Sequence, residues 1–248
     1  MRLVAGIAVS LLLLAGGPLV LPASATPATA AATAVREVRV IGHSVKGRPI
    51  RAWRLGEPSS RIKVVFLATM HGDEAGPSRI LMNLRDGAPI KGADIWIVPY
   101  LNRDGMARHA RTNAHLVDLN RNYPVDWVHR SGAYSSGPRP ASEPETVALM
   151  RFLNRVKPSY VVSMHQPLDG VDTSYRKGQR LAMRLATNLE LPRKVFNCNS
   201  GCHGTMTQWY NARHRGIALT IEYGARMTTR QLTRTGPEGL LRSVFARR

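Results

Sequence analysis

KVVFLATMHGDE, residues 63–74, decides the fold. Its first part, Lys63–Met70, is a short apolar run rich in β-branched side chains, which suits a strand buried on both faces. It ends without a linker in His71, Gly72, Asp73 and Glu74. Three further runs have the same character: DIWIVPY at 94–100, YVVSM at 160–164 and IALTIE at 217–222. Helical patterns separate them. The clearest opens at Ser142, where Glu145 three residues on predicts a capping box. Leu149, Phe152, Leu153 and Val156 follow at helical spacing, and Pro158 closes the pattern. Residues 75–85 and 177–189 are also expected to be helical. Arg36–Ile41 and Ile50–Leu55 read as an antiparallel hairpin leading in. The predicted fold is α/β: a single domain with a central mixed, mostly parallel sheet flanked by helices.

Composition bounds the function. The chain has 248 residues, 44% hydrophobic and 21% charged, a globular balance for one domain. Lys+Arg number 35 against 16 acidic residues, a formal charge of +19 that asks for an anionic partner. No block of five or more basic residues occurs, so the charge argues only weakly for nucleic acid. A non-catalytic binder of anionic cell-wall polymer remains a competing class on charge alone. A serine hydrolase is disfavoured, because there is no G-x-S-x-G and Ser60–Lys63 is a lone S-x-x-K. No Walker P-loop is present.

The start of the chain reads as a targeting segment. Arg2, the apolar run Leu3–Leu21 and the small-residue end Ala23-Ser24-Ala25 predict a secretory signal peptide over 1–25. A membrane anchor is the competing reading, disfavoured by the Gly16-Gly17-Pro18 break. Residues 26–35 read as a flexible linker, leaving 36–248 as the folded domain and a secreted or cell-envelope location. In an oxidising compartment Cys198 and Cys202, the only cysteines, read as a disulfide across a turn. A metal site built on them and His203 lacks a fourth ligand at familiar spacing.

Functional residues of open α/β sheets gather where strands end. His71 and Glu74, with two residues between them, can grip one metal ion, and His165 at the end of another strand completes a three-ligand set with an open position. That is the His₂Glu pattern of catalytic zinc.

The context of these residues carries more. PYLNRDGMARHARTNAHLVDLNRNYP at 99–124, together with HGDE, SMHQ and TIEYG in order, resembles the zinc carboxypeptidase family, the carboxypeptidase A-like metallopeptidases. GHSVKGRPI at 42–50 and GPRPASEPET at 137–146 are similar to its murein peptide amidase branch, which cuts γ-D-glutamyl-diamino acid bonds of cell-wall peptides. The resemblance implies one zinc ion per chain on His71, Glu74 and His165. It implies Glu222 as general base and Arg111 as the group that polarises the scissile carbonyl. Asn120 and Arg121 match the pair that holds the substrate's terminal carboxylate. Arg103 stands where relatives often carry Pro, and no Tyr can be matched to the family's lid tyrosine. The implied partner is a peptide, in first place a murein peptide, with a general metallocarboxypeptidase acting on ordinary peptides as the alternative. Asp169 and Asp172 are candidates to meet the distal ammonium of a diamino acid.

Overall fold

The alternation of apolar strands and amphipathic helices resolves into one mixed sheet with helices on both faces. The computed structural model describes residues 33–196 and 202–248. An entry hairpin, β1 (Val35–His43) and β2 (Pro49–Gly56), precedes the buried strands β3 (Lys63–Ala68), β4 (Asp94–Val98), β5 (Tyr160–His165) and β8 (Ile217–Gly224). Two short strands complete the sheet, β6 (Leu168–Asp172) and β7 (Arg193–Lys194). The order is β1-β2-β4-β3-β5-β8-β6-β7. Among the described residues four of the seven pairings are parallel, as expected for a mostly parallel sheet.

Alternation along β3 builds two cores. Val64, Phe66 and Ala68 pack on one face against α1 (Ser78–Asp86), α4 (Gln179–Leu189) and α6 (Gly236–Ser243). Val65 and Leu67 face α3 (Pro144–Val156) and α5 (Met206–Arg213) on the other. All five of these β3 side chains are fully buried. At about 25 cal/mol per Å² of apolar surface, such two-sided burial is what holds a central strand in place. β3, β5 and β8 are adjacent and parallel, so their C-terminal ends lie along one edge of the sheet.

Two expectations need correction. Ser142 and Glu145 do not form a capping box. Pro144 takes the first helical position, so Glu143 is the cap residue, with no side-chain cap bond. Ser142 Oγ instead accepts from Asn122 Nδ2 at 2.9 Å and donates to Glu143 Oε1 at 2.7 Å. Glu145 accepts from Asn113 Nδ2 at 3.1 Å and from the Val45 amide at 3.1 Å. A capping box does form at α5, where Thr205 and Gln208 exchange bonds. The other correction concerns the linker: Ala34 is buried, its amide donates to the Gly87 carbonyl at 3.2 Å, and Val35 already belongs to β1. The predicted signal peptide and Cys198 lie outside the described residues. Among the described residues no helix is long and apolar enough to cross a membrane.

Candidate active site

Gly72 explains how two distant motifs meet. A Cβ there would come within 2.0 Å of the Gly105 carbonyl carbon and 2.2 Å of the Met106 amide. Only a glycine lets the turn after β3 press against the short helix α2 (Arg103–Ala107). Asn102 caps that helix by accepting from the Gly105 amide at 2.8 Å, and its Nδ2 donates to the Arg111 carbonyl at 3.1 Å. The Gly72 amide donates to the same carbonyl at 3.3 Å. Arg103, in place of the more usual Pro, lies with its guanidinium 5.9 Å from the Tyr100 ring centre and leaves the turn intact.

This packing brings His71, Glu74 and His165 together, all buried. The Nδ1 atoms of the two imidazoles lie 3.2 Å apart. Glu74 places Oε1 2.7 Å from His71 Nδ1 and Oε2 2.8 Å from His165 Nδ1. The ligand atoms all fall within 4.8 Å of one another. Each ring turns its other nitrogen outward to a partner: His71 Nε2 lies 3.1 Å from Asp118 Oδ1, and His165 Nε2 lies 2.8 Å from Ser163 Oγ. Such outer partners fix the ring orientation and tautomer of metal-ligating histidines. Two imidazole nitrogens and one carboxylate are a donor set that fits zinc.

Asp118 was not singled out by the sequence reading, although it lies inside VDLNRN. It is fully buried and holds three groups at once. Besides His71 it takes Arg111 through Nε to Oδ2 at 2.9 Å and Nη2 to Oδ2 at 2.8 Å, and it accepts from the Asn120 amide at 2.9 Å. Burial opposes its charge, but His71, Arg111 and Arg121 outweigh that and hold its carboxyl below the usual range. Burial alone would lower His71, yet Asp118 and Glu74 push it up to about 9. Glu74, despite burial, is held below the ordinary carboxylate range by His165 and His71.

The remaining predicted residues line one cavity of about 590 Å³ with the three ligands. Glu222 sits directly opposite His165 in the β5–β8 ladder. Burial pushes its carboxyl up from the ordinary range, and the Leu168 amide donates to Oε2 at 3.4 Å. Arg111 Nη1 lies 3.3 Å from His71 Nδ1 and 3.5 Å from Glu74 Oε1, so this end of the guanidinium faces the point where the ligands converge. Asn120 Oδ1 accepts from the Met206 amide at 3.0 Å, which leaves its NH₂ end as a donor. Arg121 Nη1 donates to the Asn120 carbonyl at 2.8 Å, while its buried Nε has no hydrogen-bond partner among the described residues. Tyr134, which carried no sequence signal, spans both guanidiniums: its ring centre lies 5.0 Å from Arg111 and 5.9 Å from Arg121. Tyr210 and Tyr223, the tyrosines near Glu222, are fully buried in the cores. Asp172 lines the cavity, and Asp169 is exposed outside it.

A cleft lined by charged residues over a His-Glu-His cluster, at the C-terminal edge of a mixed sheet, defines a metal-dependent hydrolase of the α/β class. The profile of the zinc carboxypeptidase family (peptidase M14) matches residues 28–236, and the chain belongs to that family. Murein peptide amidase A of Escherichia coli K12 is 33% identical over 166 residues, 61% of this chain and 67% of the relative. Carboxypeptidase D of Drosophila melanogaster is 25% identical over 230 residues, 70% of this chain and 16% of the relative. Among solved structures, murein-tripeptide amidase MpaA of Escherichia coli O157 superposes with a TM-score of 0.66 at 26% identity, covering 84% of this chain and 91% of that one. Carboxypeptidase A of Helicoverpa armigera shares the fold, with a TM-score of 0.70 at 17% identity, over 85% of this chain and 69% of the other. The protein is a zinc metallopeptidase, and the non-catalytic binder suggested by charge alone is set aside.

Proposed function

We propose that the protein is an exported zinc peptidase that hydrolyses the amide bond next to a free terminal carboxylate, in first place the γ-D-glutamyl–diaminopimelate bond of murein peptides. The observation that carries the reading is Arg121, a guanidinium buried at the cavity wall whose Nε has no partner among the described residues. A planar donor fork of this kind fits a carboxylate, and a buried donor without a partner is costly until a ligand supplies one. Asn120 adds a neutral donor beside it. The names and identity of the amidase relatives support the murein substrate.

His71, Glu74 and His165 would hold the zinc ion, which would supply the Lewis acidity that makes water a competent nucleophile near neutral pH. The chain's own groups do the rest. Arg121 and Asn120 hold the terminal carboxylate, which sets the scissile carbonyl against the cluster. Arg111, tied at its far edge to Asp118, presents Nη1 to the carbonyl oxygen as negative charge develops there, a contribution of roughly 3–4 kcal/mol for one such donor. Glu222 takes a proton from the attacking water and gives it to the leaving amine nitrogen. One water is consumed, and a carboxylate and an amine are released.

Export rests on the predicted signal peptide over residues 1–25. The alternative substrate, an ordinary peptide C-terminus, is favoured by the similarity to carboxypeptidase D. Mass spectrometry of a muropeptide digest beside a set of ordinary peptides decides between them. Release of diaminopimelate-containing fragments alone supports the murein reading; trimming of ordinary peptides with intact muropeptides contradicts it.

A further inference from the structure

The cavity is lined by charges of both signs. Arg111, Arg121 and Arg130 enter from the segment before α3, while β6 brings Asp172 in from the sheet. Register fixes where. Gly170 pairs with Glu222 and Val171 with Ile221, so Asp172 lies two residues beyond Gly170, about 7 Å along the strand on the same face. That level of the ladder is the level of Thr220, which lines the same cavity.

Asp172 is only 7% exposed, and among the described residues it has no ion-pair partner. The amide of Ser174 donates to its Oδ1 at 2.9 Å and the Ser174 hydroxyl donates to the same oxygen, which leaves Oδ2 for a ligand. Lys194, its neighbour on β7, turns away and donates to the Leu168 carbonyl at 2.8 Å. Hydroxyls gather around the same part of the cavity: Tyr175 donates to Thr207 Oγ1 at 3.5 Å, and Thr205 and Thr207 lie 3.2 Å apart through their Oγ1 atoms. A buried carboxylate with no cation is unfavourable, and a ligand ammonium with three donors satisfies both it and the hydroxyls.

We propose that Asp172 is the specificity-determining residue for the amino acid released, and that it selects side chains ending in an ammonium. The shared chemistry is that of diamino acids, lysine and diaminopimelate alike. The proposal rests on the reading of the site as a carboxypeptidase: with the terminal carboxylate on Asn120 and Arg121, the side chain of the last residue runs toward β6. The apolar Pro167 and Leu168 at the cavity wall suit its methylene stem.

The test uses the zinc-loaded protein and three acyl-dipeptide substrates that end in norleucine, lysine or meso-diaminopimelate. Wild type is expected to favour one or both ammonium-bearing substrates by about tenfold or more in kcat/KM, and D172N to reduce that ratio by about tenfold or more. Calorimetric binding of free L-lysine, diaminopimelate and L-norleucine provides a second readout that needs no turnover. Loss of preference for both diamino acids in D172N assigns recognition to the ammonium alone. Loss for diaminopimelate only narrows it to the cell-wall diamino acid. Binding preference lost in D172N, in a protein that cleaves none of the substrates, defeats the peptidase reading and leaves the Asp172 assignment standing. A preference that D172N leaves unchanged in both readouts, or its absence from wild type, overturns the assignment.

Discussion

Asp118 and His71 are joined through the ring edge turned away from the ligand cluster, Oδ1 to Nε2 at 3.1 Å. The same carboxylate holds Arg111, so one buried acid orients both a candidate ligand and the group beside it. Asp118→Ala is expected to weaken zinc binding by about 10–100-fold, as loss of such outer partners typically does. Chelator competition on the purified protein measures this, and an unchanged affinity would remove Asp118 from the site.

Glu222 faces His165 across the β5–β8 ladder without being one of the three clustered ligands. Glu222→Gln is therefore expected to keep its zinc while kcat falls by about 10²–10⁴-fold, the usual worth of a general base. Metal content and turnover are measured on the same sample. Zinc retained with nearly full turnover would assign the base elsewhere.

Arg121 distinguishes a free carboxylate from its amide. Wild type should cleave a peptide with a free C-terminus far better than the C-terminal amide. Arg121→Ala should lower that ratio by about 30-fold or more, equivalent to ~2 kcal/mol for loss of one buried charged partner. The loss should fall mainly on KM. Equal cleavage of acid and amide by wild type would contradict the clamp.

Asp104 ties the β1–β2 turn to α2, accepting from the Lys46 amide at 2.9 Å and from Arg48 Nη1. Burial opposes its charge, but Lys46, Arg48 and Ser44 hold its carboxyl below the ordinary range. A lowered folded-state pKa contributes stability that is present above the unfolded value, about 3.9, and is lost as pH falls through the folded value. Asp104→Ala should cost about 1 kcal/mol at pH 7, because the Lys46 amide and the partly exposed Arg48 guanidinium lose their buried acceptor. The difference from wild type should shrink below about pH 4. Urea unfolding across that range checks both, and a pH-independent difference would exclude the carboxylate as its source.

The strands and the residues at their ends are legible in the sequence because two-sided burial leaves an unbroken apolar run, and chemistry begins where the run stops. His71, His165 and Glu222 were readable for that reason. Glu74, Arg111, Asn120 and Arg121 needed the motifs around them. Asp118 escapes such reading because its meaning depends on a partner 47 positions away. The helix at α5 escapes too, since its buried Trp209 and Tyr210 sit side by side and give no one-sided apolar stripe. At α3 the local signal was present and lost: Asn113 and the Val45 amide compete for Glu145 through tertiary contacts that no window of adjacent residues contains. Tyr134 reaches the guanidiniums only through the path of the loop that carries it.

The most direct measurement is titration of the chelator-treated protein with zinc while cleavage of a free-acid peptide is followed. Activity is expected to be absent without metal and to rise to a plateau at about one zinc per chain, as three ligands with one open position require. Full activity in protein stripped of metal would contradict the zinc peptidase assignment.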